Sequence, residues 1–172
     1  MRTPFPQPRH FTILLLLAVA LLAPSVGRAQ TPEWIWGPSA ADGETRLFTK
    51  SFTLPAQAER AVVVFACDNS AELFLNGQRV GRNTDWSKPA TSSVASRTKA
   101  GENLLQVIGH NSEGIAGLLF QLEITLPGGA RQKIVTDASW RTAPASSADI
   151  KVAQFPAERS EEHTSELQSR LH

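Results

Sequence analysis

The sequence predicts an all-β domain, a two-sheet antiparallel β-sandwich of the jelly-roll kind. Three observations predict it. Short runs rich in Val, Ile, Thr and Phe recur at spacings of roughly ten residues, as in sandwiches. Gly and Pro punctuate those runs. No run carries the periodicity of an amphipathic helix.

The elements follow in order. Leu47 to Leu54 (LFTKSFTL) places Phe48, Phe52 and Leu54 on one face and Thr49, Ser51 and Thr53 on the other. Ala61 to Cys67 (AVVVFAC) is apolar throughout, which predicts a strand buried on both faces. Glu72 to Leu75 and Gln78 to Val80 flank Asn76-Gly77. That dipeptide predicts a type I′ hairpin, because both central residues need a positive φ. Gly101-Glu102-Asn103 is a turn feeding a strand over Leu104 to Ile108. Leu118 to Leu126 alternates, with Phe120, Leu122, Ile124 and Leu126 at period two. Pro127-Gly128-Gly129 closes it, and Gln132 to Thr136 returns. The total is seven or eight short strands.

Both ends of the chain read differently from this middle. Arg2, Arg9 and His10 precede a 13-residue apolar run, Phe11 to Ala23. Pro24 breaks the run, and Gly27 and Ala29 are small residues at the spacing of a cleavage site. This is the three-part pattern of a secretory signal over residues 1–29, and the run is short for a membrane span. The competing reading is an uncleaved anchor. The signal predicts a secreted or periplasmic protein with no membrane attachment after cleavage. Arg159 to His172 (RSEEHTSELQSRLH) has no apolar periodicity matching the sandwich. It resembles a translated sequencing adapter, and the alternative is a native disordered terminus. The adapter reading predicts a domain over residues 30–158 that is a piece of a longer protein.

Composition excludes several functions. The chain has 172 residues and a formal net charge of +1. Residues 30–158 carry 12 cations against 13 anions. Balanced charge gives no electrostatic reason to bind nucleic acid. The length excludes a barrel enzyme of roughly 250 residues. The single Cys67 cannot form an internal disulfide. It ends an apolar strand, which predicts a buried small residue rather than a nucleophile. There is no G-x-S-x-G, H-E-x-x-H or phosphate-binding loop. Glycoside hydrolysis needs two carboxyls about 5 to 9 Å apart. Asp68, Glu72, Asp85, Glu113 and Asp137 are available, but no spacing pairs them. No catalytic residue is assigned.

Binding is the function the residues leave open. Trp34, Trp36, Trp86 and Trp140 stand out in a chain with no Tyr. An exposed indole stacks on a sugar ring, and a buried one fills the core. Trp36 and Trp140 are expected in the core. Trp86 lies in the polar loop Gly81 to Pro89, where binding residues collect. Arg82, Asn83 and Asp85 share that loop, and their planar groups suit sugar hydroxyls. The competing reading is a solvated turn. His110 and Asn111 open a second loop, Ser112 to Gly117. His110 has no partner at metal-ligand spacing, so it is a candidate polar contact rather than a zinc ligand. Asp68-Asn69 offers oxygens to a calcium ion, though such pairs more often cap a turn. The ligand set is therefore Arg82, Asn83, Asp85, Trp86, His110 and Asn111, with no cofactor and no metal. Asp137 is expected to bond neighbouring backbone N–H groups.

Three stretches carry a family resemblance. They are Glu33-Trp34-Ile35-Trp36 with the following strand, the segment Asp68 to Gly81 with Trp86, and Gly101-Glu102-Asn103 through Thr136-Asp137-Ala138-Ser139-Trp140-Arg141. In that order they resemble the galactose-binding-like jelly roll found as the N-terminal accessory domain of bacterial α-L-rhamnosidases. Ser92 to Ser96 departs from the polar turn usual there. The resemblance implies a non-catalytic, carbohydrate-binding-like module of a larger carbohydrate-active protein. Its partner would be a glycan or a downstream domain of the same chain. The alternative it implies is a purely structural packing domain of a rhamnosidase-like glycoside hydrolase.

Overall fold

The computed structural model describes residues 30–149. The signal-like segment 1–29 and the adapter-like segment 159–172 lie outside the described residues. Nine strands form: β1 (Thr45–Leu54), β2 (Arg60–Asp68), β3 (Ser70–Leu75), β4 (Gln78–Asn83), β5 (Ala90–Ser93), β6 (Gly101–His110), β7 (Gly117–Thr125), β8 (Arg131–Val135) and β9 (Arg141–Pro144). They build a five-stranded sheet, β4-β3-β6-β1-β9, and a four-stranded sheet, β5-β2-β7-β8. Every pairing is antiparallel. The chain crosses between sheets at β1–β2, β2–β3, β4–β5, β5–β6, β6–β7 and β8–β9, the winding of a jelly roll. The edge strands β5 and β9 are the two the sequence reading did not name. Each has four residues and too few apolar side chains to show a pattern.

Alternation sorts the side chains as expected. Phe48, Leu73, Leu75, Leu105 and Val107 of one sheet meet Val63, Phe65, Leu118, Phe120, Leu122 and Ile124 of the other, all essentially inaccessible to solvent. Burying each such side chain contributes about 1.5–3 kcal/mol. Trp140 closes one flank. Its indole meets Phe120 edge-on at 5.2 Å, and its N–H donates to the Val135 carbonyl at 2.8 Å. Trp36 is half-buried against Phe48, at 5.3 Å. Cys67 is fully buried. These placements match the sequence reading.

One expectation is corrected. Ala61 to Cys67 is not buried on both faces. Ala61, Val63, Phe65 and Cys67 point inward, but Val62 is half-buried and Val64 is 37% exposed on the outer side. The outer face of this sheet carries no covering layer there, so an apolar run lies half in water.

The Asn76-Gly77 hairpin forms with φ values of 52° and 75°, and Leu75 pairs with Gln78 across it. Asn76 also works as a clamp. Its Nδ2 donates to the Arg97 carbonyl at 2.8 Å and to Asn103 Oδ1 at 2.9 Å, while its Oδ1 accepts the Leu104 N–H at 3.0 Å. Asn103 is fully buried and bonds both the N–H and the C=O of Lys99 and the carbonyl of Gly101. The L-N-G and G-E-N segments are therefore two halves of one amide network.

Asn103→Ala strands several buried partners at once. The expected cost is about 2–4 kcal/mol in urea unfolding, with the hairpin itself intact. A loss below about 0.5 kcal/mol would show that this end is held by packing alone.

Candidate functional site

The turns 41–44 and 68–70 and the loops 83–90 and 110–117 all gather at one end of the sandwich. There Trp34, Asp68, Trp86, Ile115, Ala116 and Gly117 line a cleft of about 470 Å³. Trp34, Trp86 and Ile115 are 52%, 55% and 85% exposed. Large apolar side chains this open are costly unless they have a use, and here three converge.

Each wall is held by its own local chemistry. The segment carrying Trp34 runs beside β7, with Ile35 and Leu118 exchanging backbone hydrogen bonds at 3.0 and 2.8 Å. Glu33 N–H donates to the Thr136 carbonyl at 2.9 Å. The Trp36 indole N–H donates to Glu44 Oε2 at 3.0 Å. That bond, ahead of the Arg46 guanidinium, holds the Glu44 carboxyl below its ordinary value despite the opposing effect of burial. Trp34 then lies on the backbone of Gly117. A Cβ there would stand 2.7 Å from Trp34 Cε3, so only glycine lets the indole approach.

Trp86 sits on a turn closed by Lys88 N–H donating to the Asp85 carbonyl at 3.1 Å. Asp85 caps it. Its Oδ1 accepts the Ser87 N–H at 3.0 Å and the Ser87 hydroxyl at 2.6 Å, and Lys88 pairs with Oδ2 at 2.9 Å. The Ser87 hydroxyl first, and Lys88 after it, hold the Asp85 carboxyl down to about 2. Asn83 anchors the turn from below. Its Oδ1 accepts the Cys67 N–H at 3.0 Å, and its Nδ2 donates to the carbonyls of Asp85 and Lys88 at 3.1 and 2.9 Å.

Ile115 rides on the loop after β6. Asn111 is fully buried, and its Nδ2 donates to the Ala41 carbonyl at 3.1 Å. Asn69 Oδ1 accepts the Ser112 N–H at 2.6 Å, and Asp42 Oδ1 accepts the Gly114 N–H at 3.0 Å. Asn69 thus serves as a turn-and-loop tie. Among the described residues no group of three His, Cys, Asp or Glu is arranged to hold a metal.

The two loops singled out in the sequence do meet, and Trp86 lines the cleft they form. The other five candidates stand elsewhere. Both ends of the Asn83 amide are engaged inside the fold, while Asn111 donates its Nδ2 inward and its buried Oδ1 has no partner among the described residues. Arg82 pairs with Glu72 at 3.2 Å, and Arg79 binds the same carboxylate. His110 Nδ1 shares a 2.9 Å hydrogen bond with Thr45 Oγ1. Asp85 shapes the Trp86 turn without lining the cleft. Trp34, Asp68 and Ile115 are the lining residues that sequence reasoning did not place. Strand alternation would put Trp34 and Trp36 on one face, but a single bridge does not enforce alternation, and the two rings part.

Two indoles and an isoleucine make apolar walls that stack on a ring, and Asp68 brings a carboxylate to accept hydroxyl donors. The neighbouring Cys67 is no nucleophile. Burial, reinforced by the charge of Asp68, pushes its thiol up to about 12. Asp137 Oδ1 accepts the Ser139 N–H at 2.9 Å, the local bond expected of it.

No protein-family model and no curated protein matches the chain. Solved structures do. An α-L-rhamnosidase of Streptomyces avermitilis, complexed with L-rhamnose, is 30% identical with a TM-score of 0.63 over 69% of this chain. The domain is similar to a segment of the α-L-rhamnosidases. A family GH78 rhamnosidase of Bacillus sp. GL1 is 29% identical with a TM-score of 0.56, again over 69% of this chain. A Pleurotus ostreatus lectin in complex with GalNAc is 26% identical with a TM-score of 0.59 over 66% of this chain. This rhamnosidase-like chain spans 12% and 14% of the two rhamnosidases and 35% of the lectin.

Cys67 should resist a maleimide at pH 8 in the folded protein and label fully in urea. Labelling of the native protein would contradict its burial. The Asp85 carboxyl gives a second expectation. Its folded value lies below the ordinary one of about 3.9, so its support of the turn is complete above that value and is lost as pH falls toward about 2. The fluorescence difference between the wild type and Trp86→Phe should stay flat from neutral pH until the acid is that strong. A transition near pH 6 would contradict the capping.

Proposed function

We propose that this is an exported, non-catalytic glycan-binding module of a larger carbohydrate-active protein, and that its sugar site is the Trp34–Trp86 cleft. The observation that carries the reading is the convergence of the two exposed indoles and Ile115 on one cavity with a single carboxylate beside it. A sugar presents an apolar C–H face for the indoles and hydroxyls at its rim for Asp68. The likeness to a lectin and to rhamnosidases above 25% identity supports the same class of ligand. Export is supported by the three-part pattern of residues 1–29. The purely structural alternative calls for an exposed apolar patch, and Trp34, Val64, Trp86 and Ile115 would serve that as well, so binding of a free sugar is what separates the two readings.

The test is isothermal titration of the protein with GalNAc, L-rhamnose and a panel of soluble plant and algal polysaccharides. At least one should bind, and Trp34→Ala and Trp86→Ala should each weaken it about tenfold, the loss of one stacked ring. Arg82→Ala should leave binding unchanged. Absence of binding across the panel, or unchanged affinity in both tryptophan variants, would overturn the reading.

A further inference from the structure

The tryptophan cleft is one end of a longer feature. Asp68 and Gly117 face each other across β2 and β7, and the next outward pair is Ala66 and Leu119, followed by Val64 and Gln121, then Val62 and Glu123, then Arg60 and Thr125. A second concavity of about 170 Å³, between Pro32 and Pro89, lies over Ala66, Val64, Leu119 and Gln121. A third, of about 400 Å³, lies over Val62, Glu123 and the end of the sheet, lined by Arg60, Arg131 and Lys133. Each of the three hollows begins at the row where its neighbour stops. Together they run the length of β2, eight residue steps or about 27 Å.

The far end is cationic. Arg60, Thr125 and Arg131 form one cross-strand row, and Glu123 and Lys133 pair in the row beside it. Arg60 and Arg131 therefore stand about 10 Å apart, with Lys133 about 7 Å along from Arg131. Among the described residues none of these three cations has a carboxylate within ion-pair distance. Glu123, the acid among them, accepts a hydrogen bond from the Gln121 amide at 2.8 Å. Lys50, Arg97, Lys99 and Arg141 also stand outside ion pairs among the described residues, but they lie on separate elements, whereas Arg60, Arg131 and Lys133 line one hollow. Cations gathered in a hollow and left without partners focus a field that attracts a negative ligand.

We propose that the outer face of the four-stranded sheet is one groove for a linear anionic glycan, whose rings stack on Trp34 and Trp86 while carboxylates or sulfates several residues along meet Arg60, Arg131 and Lys133. The proposal rests on the glycan-binding reading of the cleft and adds the charge and length of the ligand. Val64, exposed midway, gives the chain an apolar floor between the two ends.

The experiment compares polygalacturonate, a sulfated galactan and a neutral galactan, each titrated into the wild type, Trp86→Ala and the triple variant R60Q/R131Q/K133Q at low salt and at about 0.5 M NaCl. One anionic polymer should bind at least about tenfold more tightly than the neutral one at low salt, and lose that advantage at high salt. Which of the two binds tells carboxylate from sulfate. The triple variant should lose the preference and keep the binding of the neutral polymer or of a monosaccharide, and the single variants R60Q and K133Q should each lose part of it. If the triple variant keeps the preference, or if single-stranded DNA of equal charge competes as well as the glycan, the groove is overturned and the cleft reading stands. If no glycan binds the wild type, both fall.

Discussion

The placement of the cleft depends on one buried amide. Asn83 is almost wholly inaccessible, so every polar atom of its side chain must find a partner or cost about 1–3 kcal/mol. It finds them in two directions. One bond reaches the backbone of β2 at Cys67, and two reach carbonyls on either side of Trp86. The Trp86 turn is thereby fixed against the strand whose next residue is Asp68. Remove that amide and the turn is attached to the sandwich only through its own ends. A site built from a loop becomes as precise as the strand that loop is tied to.

Buried asparagines tie loops at both ends of the sandwich. Asn103 with Asn76 holds the hairpin to the turn before β6, and Asn111 holds the loop of Ile115 to the turn at Ala41. The fold was legible in the sequence because the strands declare themselves by alternation, and because Asn-Gly admits few backbone geometries. The site was legible only as a pair of loops. Polar loop residues such as Asn83 and Asn111 look like ligand contacts in a sequence, since nothing in one dimension tells an amide bonded inward from one offered outward. Trp34 and Ile115 carry the opposite ambiguity. An apolar residue reads as core by default, and its exposure follows from a single backbone bridge and a loop path that no local pattern encodes. Gly117 was the one available signal, a glycine at the start of an apolar strand where an aromatic lies flat on the chain.

Charge is distributed as unevenly as polarity. The near-balance of cations and anions over the domain hides two different sheet faces. On the five-stranded sheet Phe74 and Ile108 are buried on the outer side, where Arg79 and Arg82 converge on Glu72 in neighbouring cross-strand rows. Guanidinium stems are long enough to cover such apolar surface while their heads stay hydrated and paired. The Glu72 end of that face satisfies itself, while Arg141 of β9 stands apart with no carboxylate partner among the described residues. The outer face of the four-stranded sheet has no such paired cluster among the described residues, and it leaves Val64 half in water and its cations without carboxylates.

This asymmetry bears on what a domain of this kind contributes to a larger chain. A domain used only for packing needs one face that another domain covers, and the natural candidate would be flat and apolar with few charges. The outer face of the four-stranded sheet is apolar along part of its length, but it is hollowed and ends in charge. Of the two outer faces, one carries a single ion-paired cluster around Glu72, and the other is a hollowed strip with aromatic rings at one end and a cluster of unpaired cations at the other. A strip that changes from aromatic to cationic along its length fits a ligand that changes in the same way, a ring-bearing chain with charge at intervals. The sandwich supplies rigidity, its buried asparagines transmit that rigidity to the loops, and the single open face is where the remaining binding capacity lies.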